Sequence, residues 1–316
     1  MAITIVGAGM AGLLAARMLA NHKPRVVEGQ EGLPNNHSAV LRFRTRAVGD
    51  IVGIPFKQVT MVKGYLPWQN PIADTLAYAK KTVGTYRSDR SITSTSLESF
   101  LRYIAPEDFI NSLSEGVNIS FRHFHQFKSN NSEPVISTIP MPQLMRMLGY
   151  KDVENKDTEF GEVHGFNLIG SLHEADAYVS LYVPNPEYAF NRISITGNRF
   201  IAEYSCPGKR FTDIPDLMNN FVVLNETKRA ASLLGIEPPF ASFPVFKIQR
   251  YAKIQPIDDD ARKHFIAWAT DKFNIYSLGR FATWRPGLLL DDLIKDIRLI
   301  ERWLTSKNKY EVKAHR

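Results

Sequence analysis

Cysteine is almost absent from this sequence: Cys206 is the only one in 316 residues. A single thiol excludes an intrachain disulfide and a cysteine-based metal site. The sequence also lacks any run of about 18 apolar residues, so no membrane-spanning helix is expected. The first predicted strand begins at Ala2, which predicts a chain without a signal peptide. Together these absences predict a cytoplasmic protein with no membrane partner.

The remaining composition is that of an ordinary globular protein with a basic balance. Hydrophobic residues make up 44% and charged residues 22% of the chain, and its length predicts about two domains. Lys and Arg number 39 against 32 Asp and Glu, which gives a net charge of +7. Such a balance suits a nucleic acid, a phosphate-bearing substrate or a solvated surface, and the sequence leaves these open. The basic tail, residues 305–316, is predicted to be a frayed end.

Three arginines alternate with other residues in the segment Leu41–Arg46. If this segment is a strand, the guanidinium groups of Arg42, Arg44 and Arg46 lie on one face. That face would contact a cofactor or an acidic substrate, or it would simply lie at the surface.

A glycine-rich segment, Gly7–Gly12, lies between two predicted elements near the start of the chain. An apolar strand precedes it, a helix over Met10–Asn21 follows it, and a second strand, Arg25–Val27, ends at Glu28. In such a β-α-β unit the first glycine permits a tight turn, the second lets a pyrophosphate approach the backbone, and the third lets helix and strand pack closely. Glu28 would accept hydrogen bonds from an adenosine ribose. The alternative is a unit whose glycines are only structural.

β-rich material then interrupts this nucleotide-binding unit. A run of strands is predicted between residues 166 and 204, and the closing strand, Asn274–Leu278, and helix, Gly287–Leu304, come only near the end. A nicotinamide dehydrogenase usually builds its Rossmann domain from one continuous block, so the split favours flavin. Other predicted elements are a strand over Val245–Ile254 and helices over Pro71–Lys81, Leu97–Ile104, Pro106–Leu113, Gln143–Leu148 and Asp216–Leu234.

Three stretches of the sequence carry a resemblance to a known family: Ile5–Leu13 with Glu28 downstream, Val135–Leu144, and Ile275–Trp284 followed by Asp291 and Asp292. They resemble the superfamily of FAD-dependent amine oxidases, protoporphyrinogen oxidases and UDP-galactopyranose mutases. Two further stretches are similar to the mutase branch, Tyr182–Pro186 and Phe190–Ser194. In that superfamily, the glycine at the position of Gly279 begins a turn that meets the flavin ribityl-phosphate. The helix that follows directs its N-terminus at the isoalloxazine.

The resemblance implies an α/β fold with a Rossmann-like FAD-binding domain of the GR2 type, discontinuous in sequence, and an inserted β-rich substrate domain. The FAD-binding domain would comprise residues 1–60, 130–150 and 245–304, and the substrate domain residues 61–129 and 151–244. The cofactor implied is FAD, bound non-covalently. The residues expected to bind it are Gly7, Ala8, Gly9, Met10, Ala11, Gly12, Glu28, Gly29, Arg44, Thr138, Gly279, Arg280 and Leu288.

Two functions remain open, and a flavin-bound binding or scaffolding protein is a third hypothesis. The first is an FAD-dependent, amine oxidase-like oxidoreductase that oxidises a C–N bond of an amine or amino-acid-type substrate. The second is a non-redox flavin enzyme of the mutase type. The substrate would be a small molecule or one carried on a macromolecule, for example an amino-acid-modified DNA base. That last hypothesis rests on size and charge alone, and no oligomeric state is predicted.

No catalytic residue can be assigned from the sequence. Flavin carries the redox chemistry itself, and hydride transfer from a neutral amine needs no separate acid or base. His123 and His125 have the spacing of a metal pair on a strand, but no third ligand is near, so no metal is expected. Trp284 and Tyr276 would line the flavin site or belong to the core.

Overall fold

The structure is a computed structural model that describes residues 2–34, 41–86, 97–122, 124, 127, 133–151, 160–218, 221–236 and 245–306. Strands within these residues are β1 (Thr4–Val6), β2 (Arg25–Glu28), β3 (Arg42–Phe43), β4 (Lys57–Tyr65), β5 (Glu98–Ile104), β6 (Ile119–Phe121), β7 (Val135–Ser137), β8 (Glu162–Ser171), β9 (Ala177–Tyr182), β10 (Arg192–Gly197), β11 (Arg199–Cys206), β12 (Val245–Ile254) and β13 (Ile275–Ser277).

The α-helices of the same residues surround these strands. They are α1 (Met10–Met18), α2 (Ala47–Val52), α3 (Pro71–Val83), α4 (Phe109–Ser114), α5 (Met141–Leu148), α6 (Ile214–Met218), α7 (Phe221–Ser232), α8 (Asp259–Phe273) and α9 (Leu290–Thr305).

A parallel sheet forms the first layer, with strand order β13-β7-β1-β2-β6. Its strands are short apolar runs because helices cover both faces. On one face Ile5 and Ile136 pack against α1 and α9 in a single core. On the other, Val135 and Ile275 pack with α5 and α8. This is the Rossmann-like arrangement that was predicted, and strands from both ends and from the middle of the chain build it together.

A mixed sheet forms the second layer, with strand order β12-β8-β11-β10-β9-β4-β5-β3. Its pairs are antiparallel except that between β4 and β9. One face is apolar: Phe200 and Ile193 pack against α6 and α7. Because side chains alternate along each strand, the opposite face receives the residues in between, and these are largely polar.

Several predicted elements differ from the structure. The predicted helix Leu97–Ile104 is strand β5, because the residues of β4 pair with it in register over its whole length; cross-strand pairing overrides local propensity. The single helix predicted over Asp216–Leu234 is divided into α6 and α7. Strand β4 and helix α8 were not predicted.

The sheet membership of three strands also differs from the predicted division into domains. β3 lies within the interval 1–60 yet pairs with β5 in the mixed sheet. β6 lies within the interval 61–129 yet pairs with β2 in the parallel sheet. β12 lies within 245–304 yet pairs with β8 in the mixed sheet. The domain boundaries otherwise stay a prediction. No helix of the described part of the chain combines the length and apolar character needed to cross a bilayer.

Candidate flavin and substrate site

The turn between β1 and α1 requires glycine at two of its three glycine positions. Gly7 has φ +103°, and a Cβ on it would lie 2.0 Å from Thr138 Oγ1. A Cβ on Gly12 would lie 2.0 Å from the carbonyl oxygen of Gly7. Both approaches are far below any real contact, so these glycines are fixed by the fold itself.

Gly9 is different, because a Cβ there would meet no atom within 4 Å. It is the N-cap of α1 and offers no side chain to the helix end. The first turn of a helix leaves backbone N–H groups without intrahelical acceptors, and these groups attract phosphate. Met10 and Ala11 belong to that first turn. The open space beside Gly9 is therefore where an anion would meet the helix N-terminus.

Glu28 at the end of β2 faces the same turn. It is buried, and its Oε2 accepts a hydrogen bond from the N–H of Ala8 at 2.7 Å. Its Oε1 accepts from the N–H of Gln30 at 3.0 Å, directly after the exposed Gly29. An ionised carboxylate has about four acceptor positions, so it retains capacity for ribose hydroxyls.

The segment that follows β13 returns to this turn from the far end of the sequence. Gly279 has φ +97°, and a Cβ on it would lie 3.1 Å from the Cβ of Ala11. Arg280 donates a hydrogen bond to the carbonyl of Pro286 and so closes the turn on itself.

Thr138 donates through both its N–H and its hydroxyl to the carbonyl of Val6, each at 2.9 Å. β1, β7 and β13 thus end together. We call Gly7–Gly12, Glu28, Thr138 and Gly279 the glycine cradle.

Arg44 belongs to the segment after β3 and contacts the first turn of α9. Its guanidinium bonds to Asp292, and its backbone N–H donates to Asp291 Oδ2 at 3.1 Å. The hydrogen bond with Asp292 raises the pKa of Arg44. Leu288, just before the helix, is half-buried and packs against the core of the parallel sheet. Arg44 therefore links the segment after β3 to the first turn of α9.

The predicted common face of Arg42, Arg44 and Arg46 does not form. β3 contains only Arg42 and Phe43, after which the chain bends into α2 and the strand alternation ends. Arg44 pairs with the aspartates of α9, while Arg46 pairs with Asp50 at 2.9 Å. Arg42 alone joins the mixed sheet.

The polar side of the mixed sheet carries a cluster of charge near Arg42. Arg192 lies opposite Glu203 and Tyr182 on the neighbouring strands. Lys63 lies opposite Ser180 and therefore on the same side of the sheet. We call the set Arg42, Lys63, Arg102, Arg192 and Glu203 the cationic face; it holds four cations and one buried carboxylate. The exposed Glu98 lies opposite Lys63 on the same side of the sheet.

Burial shapes the titration of this cluster. Burial, and then the charge of Arg192, lowers the pKa of Arg42 to about 10. Burial also lowers the pKa of Lys63, and the charges of Arg102 and Arg42 add to the effect. Glu203 is only 13% exposed. Burial alone would raise its pKa, but the charge and hydrogen bonds of Arg192, one of them 2.6 Å long, outweigh it and lower the pKa to about 2. The cluster keeps more positive charge than its own carboxylate balances.

Buried hydroxyl groups accompany the cations. Ser180 Oγ and Thr196 Oγ1 are buried and have no hydrogen-bond partner among the described residues. The register of β9 and β10 places both on the cationic side of the sheet. A cavity of about 640 Å³ lies further along that side, between Thr196, Lys247 and Leu33 of the loop after β2. Unpaired buried polar groups are rare in folded proteins and mark places where a ligand or water completes the site.

Of the residues in the cationic face, sequence analysis singled out only Arg42, although the sequence contains one signal for the others. Arg192, Ser194 and Thr196 alternate with isoleucines in a strand whose residues are mostly buried. Polar residues on the second side of a covered strand indicate a polar interior. The partners on other strands could not be assigned without the pairing.

Two aromatic residues that would line the flavin site or belong to the core are core residues in the structure. Trp284 is 1% exposed and belongs to the core under α5 and α8, and Tyr276 belongs to the core under α1 and α9. His123 and His125 lie outside the described residues. Within the described residues, no three His, Cys, Asp or Glu side chains are grouped as metal ligands.

Comparison with known proteins gives a result for structure only. No protein-family model and no curated protein matches the sequence. A crystal structure of reduced UDP-galactopyranose mutase matches with a TM-score of 0.69 at 14% identity, over 97% of this chain and 96% of that one. An oxidoreductase from Methanosarcina mazei matches with a TM-score of 0.59 at 9% identity, over 96% and 100% of the two chains.

A CLA-producing fatty acid isomerase from P. acnes matches with a TM-score of 0.57 at 10% identity, over 96% of this chain and 98% of the isomerase. The chain therefore shares its fold with these three proteins over nearly its whole length. At these identities the likeness establishes the fold, and the predicted α/β fold with a Rossmann-like parallel sheet is confirmed.

Proposed function

We propose that this protein is an FAD-dependent enzyme whose substrate carries an anionic group. The observation that carries the proposal is the cationic face, where four cations share one side of the sheet with a single buried carboxylate, Glu203. Arg42 of this face is only two residues from Arg44 in the chain, and Arg44 bonds to Asp292 in the first turn of α9. The face therefore lies close to the start of α9. Largely buried charges of one sign are costly unless an opposite charge joins them, so an anionic ligand would stabilise this arrangement.

The glycine cradle fits the adenosine half of FAD. The space beside Gly9 would receive the pyrophosphate at the N-terminus of α1, and Glu28 would accept hydrogen bonds from the ribose. Gly279 and Arg280 would approach the ribityl side, as the resemblance implies. Burial raises the pKa of the Cys206 thiol to about 11, so the thiol stays protonated at neutral pH. This supports a cofactor that is held non-covalently.

We infer that the reaction is the oxidation of a C–N bond in an amino-acid-type substrate. Bound flavin would supply the two-electron redox chemistry. The substrate carboxylate would be held by Arg42 and Lys63, and a guanidinium matches a carboxylate with two parallel hydrogen bonds. A simple amine is protonated at neutral pH and would be repelled by the same cations. The charge of the face therefore favours amino acids over amines.

The alternative is a mutase-type reaction without net redox. It is favoured by the extent of the match with UDP-galactopyranose mutase and by the affinity of arginines for phosphate. Oxygen consumption with an amino acid would support the oxidase. Activity on a nucleotide sugar only after reduction with dithionite would support the mutase type.

The first experiment is the absorption spectrum of the purified protein and the identity of the cofactor released on denaturation. We expect a yellow protein that releases FAD. A colourless protein that binds only NAD would contradict the assignment. The second is anaerobic flavin reduction by amino acids, each paired with the amine that lacks its carboxylate. We expect faster reduction by the amino acid of at least one pair; equal or faster reduction by the amines throughout would contradict an anionic substrate.

A substrate carried on DNA remains a proposal based on the basic balance of the chain. Phosphate contacts make DNA binding weaken steeply with salt. Filter binding of duplex DNA over a salt series tests it. Absence of binding at low salt would contradict it without affecting the flavin assignment.

A further inference from the structure

Helix α3 carries an apolar surface that its packing does not explain. The helix is fixed at its start: Asn70 caps it, and the buried Asp74 accepts from the backbone N–H groups of Trp68 and Gln69 at 3.2 and 2.9 Å. Its inner side carries Tyr78, whose ring meets the ring of Tyr182 on the mixed sheet at 5.7 Å. Its outer side exposes apolar residues to solvent.

These outer residues line a pocket. Trp68 and Leu76 are 39% and 41% exposed, and Tyr86 is more exposed still. With Tyr188 and Lys81 they border a cavity of about 550 Å³. We call this cavity the α3 pocket. Its volume and its aromatic walls are those of a small-molecule site.

Lys81 is the polar group of the α3 pocket. Its Nζ donates to the carbonyls of Val183 and Asn185 at 2.9 and 2.8 Å. An ammonium has three N–H donors, so one donor is left for a ligand. In the described part of the chain, no carboxylate lies within ion-pair distance of Lys81. A half-buried cation of this kind is stabilised by an anion.

The acidic group that acts on the pKa of Lys81 is Glu226, and it already has other partners. Glu226 accepts from the N–H of Ala189 at 3.1 Å and pairs with Arg229 at 2.5 Å. Burial lowers the pKa of Lys81 to about 7, and Glu226 offsets this only in part. Lys80 adds a second positive charge at the pocket edge, where it lies over the ring of Tyr86. The α3 pocket is thus apolar, and Lys81 carries its full positive charge only below about pH 7.

We propose that the α3 pocket binds a small carboxylate with an aromatic or aliphatic body, separately from the flavin and substrate site. The apolar body would lie against Trp68 and Leu76. The carboxylate would accept a hydrogen bond from Lys81. This goes beyond the proposed function, since neither the glycine cradle nor the cationic face contributes a residue.

Calorimetric titration with 2-naphthoate tests the proposal, and 2-naphthalenemethanol is the neutral probe with the same ring system. The wild-type protein should bind naphthoate more tightly than the alcohol. Lys81→Met keeps the aliphatic length of the side chain and removes its charge. The affinity for naphthoate should fall at least about tenfold, while the affinity for the alcohol should change little. Lys80→Met is the matched control, because Lys80 already donates to the carbonyl of Gly84, and its effect should be much smaller.

Lys81→Met removes two hydrogen bonds to the backbone, so its fold is checked by circular dichroism. If that variant does not fold, Leu76→Trp decides, because it fills the pocket from an exposed position and should abolish binding of both probes. Absence of saturable naphthoate binding to the wild type would overturn the proposal. So would unchanged naphthoate binding in a folded Lys81→Met or in Leu76→Trp. Flavin content should stay at the wild-type level in every variant.

Discussion

The two sheets of this protein build their sites in opposite ways. At the end of the parallel sheet, the glycine cradle offers backbone N–H groups and one buried carboxylate, Glu28. On the mixed sheet, the cationic face consists of long charged side chains from several strands. In the glycine cradle, backbone groups form the binding surface, and a side chain added at one of its glycines can only block the space for the ligand. On the cationic face, side-chain charges favour an anionic ligand, and a substitution can remove a charge without changing the fold. The two regions should therefore respond differently to mutation.

Gly9→Val should have the largest effect on the cradle. A side chain at Gly9 meets no protein atom within 4 Å, so the fold should survive with a melting temperature within a few degrees of the flavin-free wild type, about 1 kcal/mol. The same side chain occupies the space a pyrophosphate needs, so bound flavin should be lost. The measurement is the flavin-to-protein absorbance ratio after purification.

Gly12→Val is the contrasting control, since its Cβ would lie 2.0 Å from the Gly7 carbonyl. It should destabilise the protein itself. Normal flavin content in Gly9→Val would show that the turn is only structural.

The cationic face should give the protein a characteristic sensitivity to acid. Arg192 holds the pKa of Glu203 at about 2, below its unfolded value of about 4.3. The stabilisation is therefore complete above the unfolded value and is lost as the pH falls towards 2; its size is about 3 kcal/mol.

Glu203→Gln should flatten this loss between about pH 5 and pH 2, measured as urea unfolding at each pH. The variant should also be less stable at pH 7, because Arg192 loses its charged partner. An acid profile identical to that of wild type would exclude Glu203 as a contributor.

Glu28→Ala should weaken FAD binding by on the order of 1.5–3 kcal/mol, the range for hydrogen bonds to a charged group. The structure adds a second contribution, because Glu28 also holds the N–H of Ala8 in the turn. Glu28→Gln separates the two, since it keeps an acceptor for that N–H. Retention of FAD through dialysis, compared with wild type, measures the loss, and full retention in Glu28→Ala would argue against the ribose role.

Lys63→Met should have the smallest effect on stability and still change substrate binding. Lys63 stacks over Phe100 at 5.3 Å and lies among like charges, so its removal should leave the melting temperature unchanged or slightly higher. KM for an anionic substrate should rise by about tenfold, the value of one charged hydrogen bond. Steady-state kinetics with the best substrate of the amino-acid series gives the answer. An unchanged KM would place the substrate away from Lys63.

The cradle could be predicted because its information is local. Gly7–Gly12, the flanking strands and Glu28 lie within one short β-α-β unit, and the required φ angles and close approaches follow from single residues. Thr138 and Gly279 came from resemblance, and the structure brings both to the same turn. The helix Pro71–Lys81 was also predictable, since a capping Asn70 and Pro71 mark its start.

The cationic face could not be predicted because it depends on which strands are neighbours. Arg42 belongs to β3, Lys63 to β4 and Arg192 to β10, and only the pairing of these strands puts the three charges on one side of a sheet. The same pairing made Leu97–Ile104 a strand against its helical prediction. By itself the sequence determined the turn, its glycines and the buried carboxylate beside them, because short-range geometry allows few alternatives there. Tertiary structure decided where the charges meet, because long-range strand order and burial are set by the whole chain.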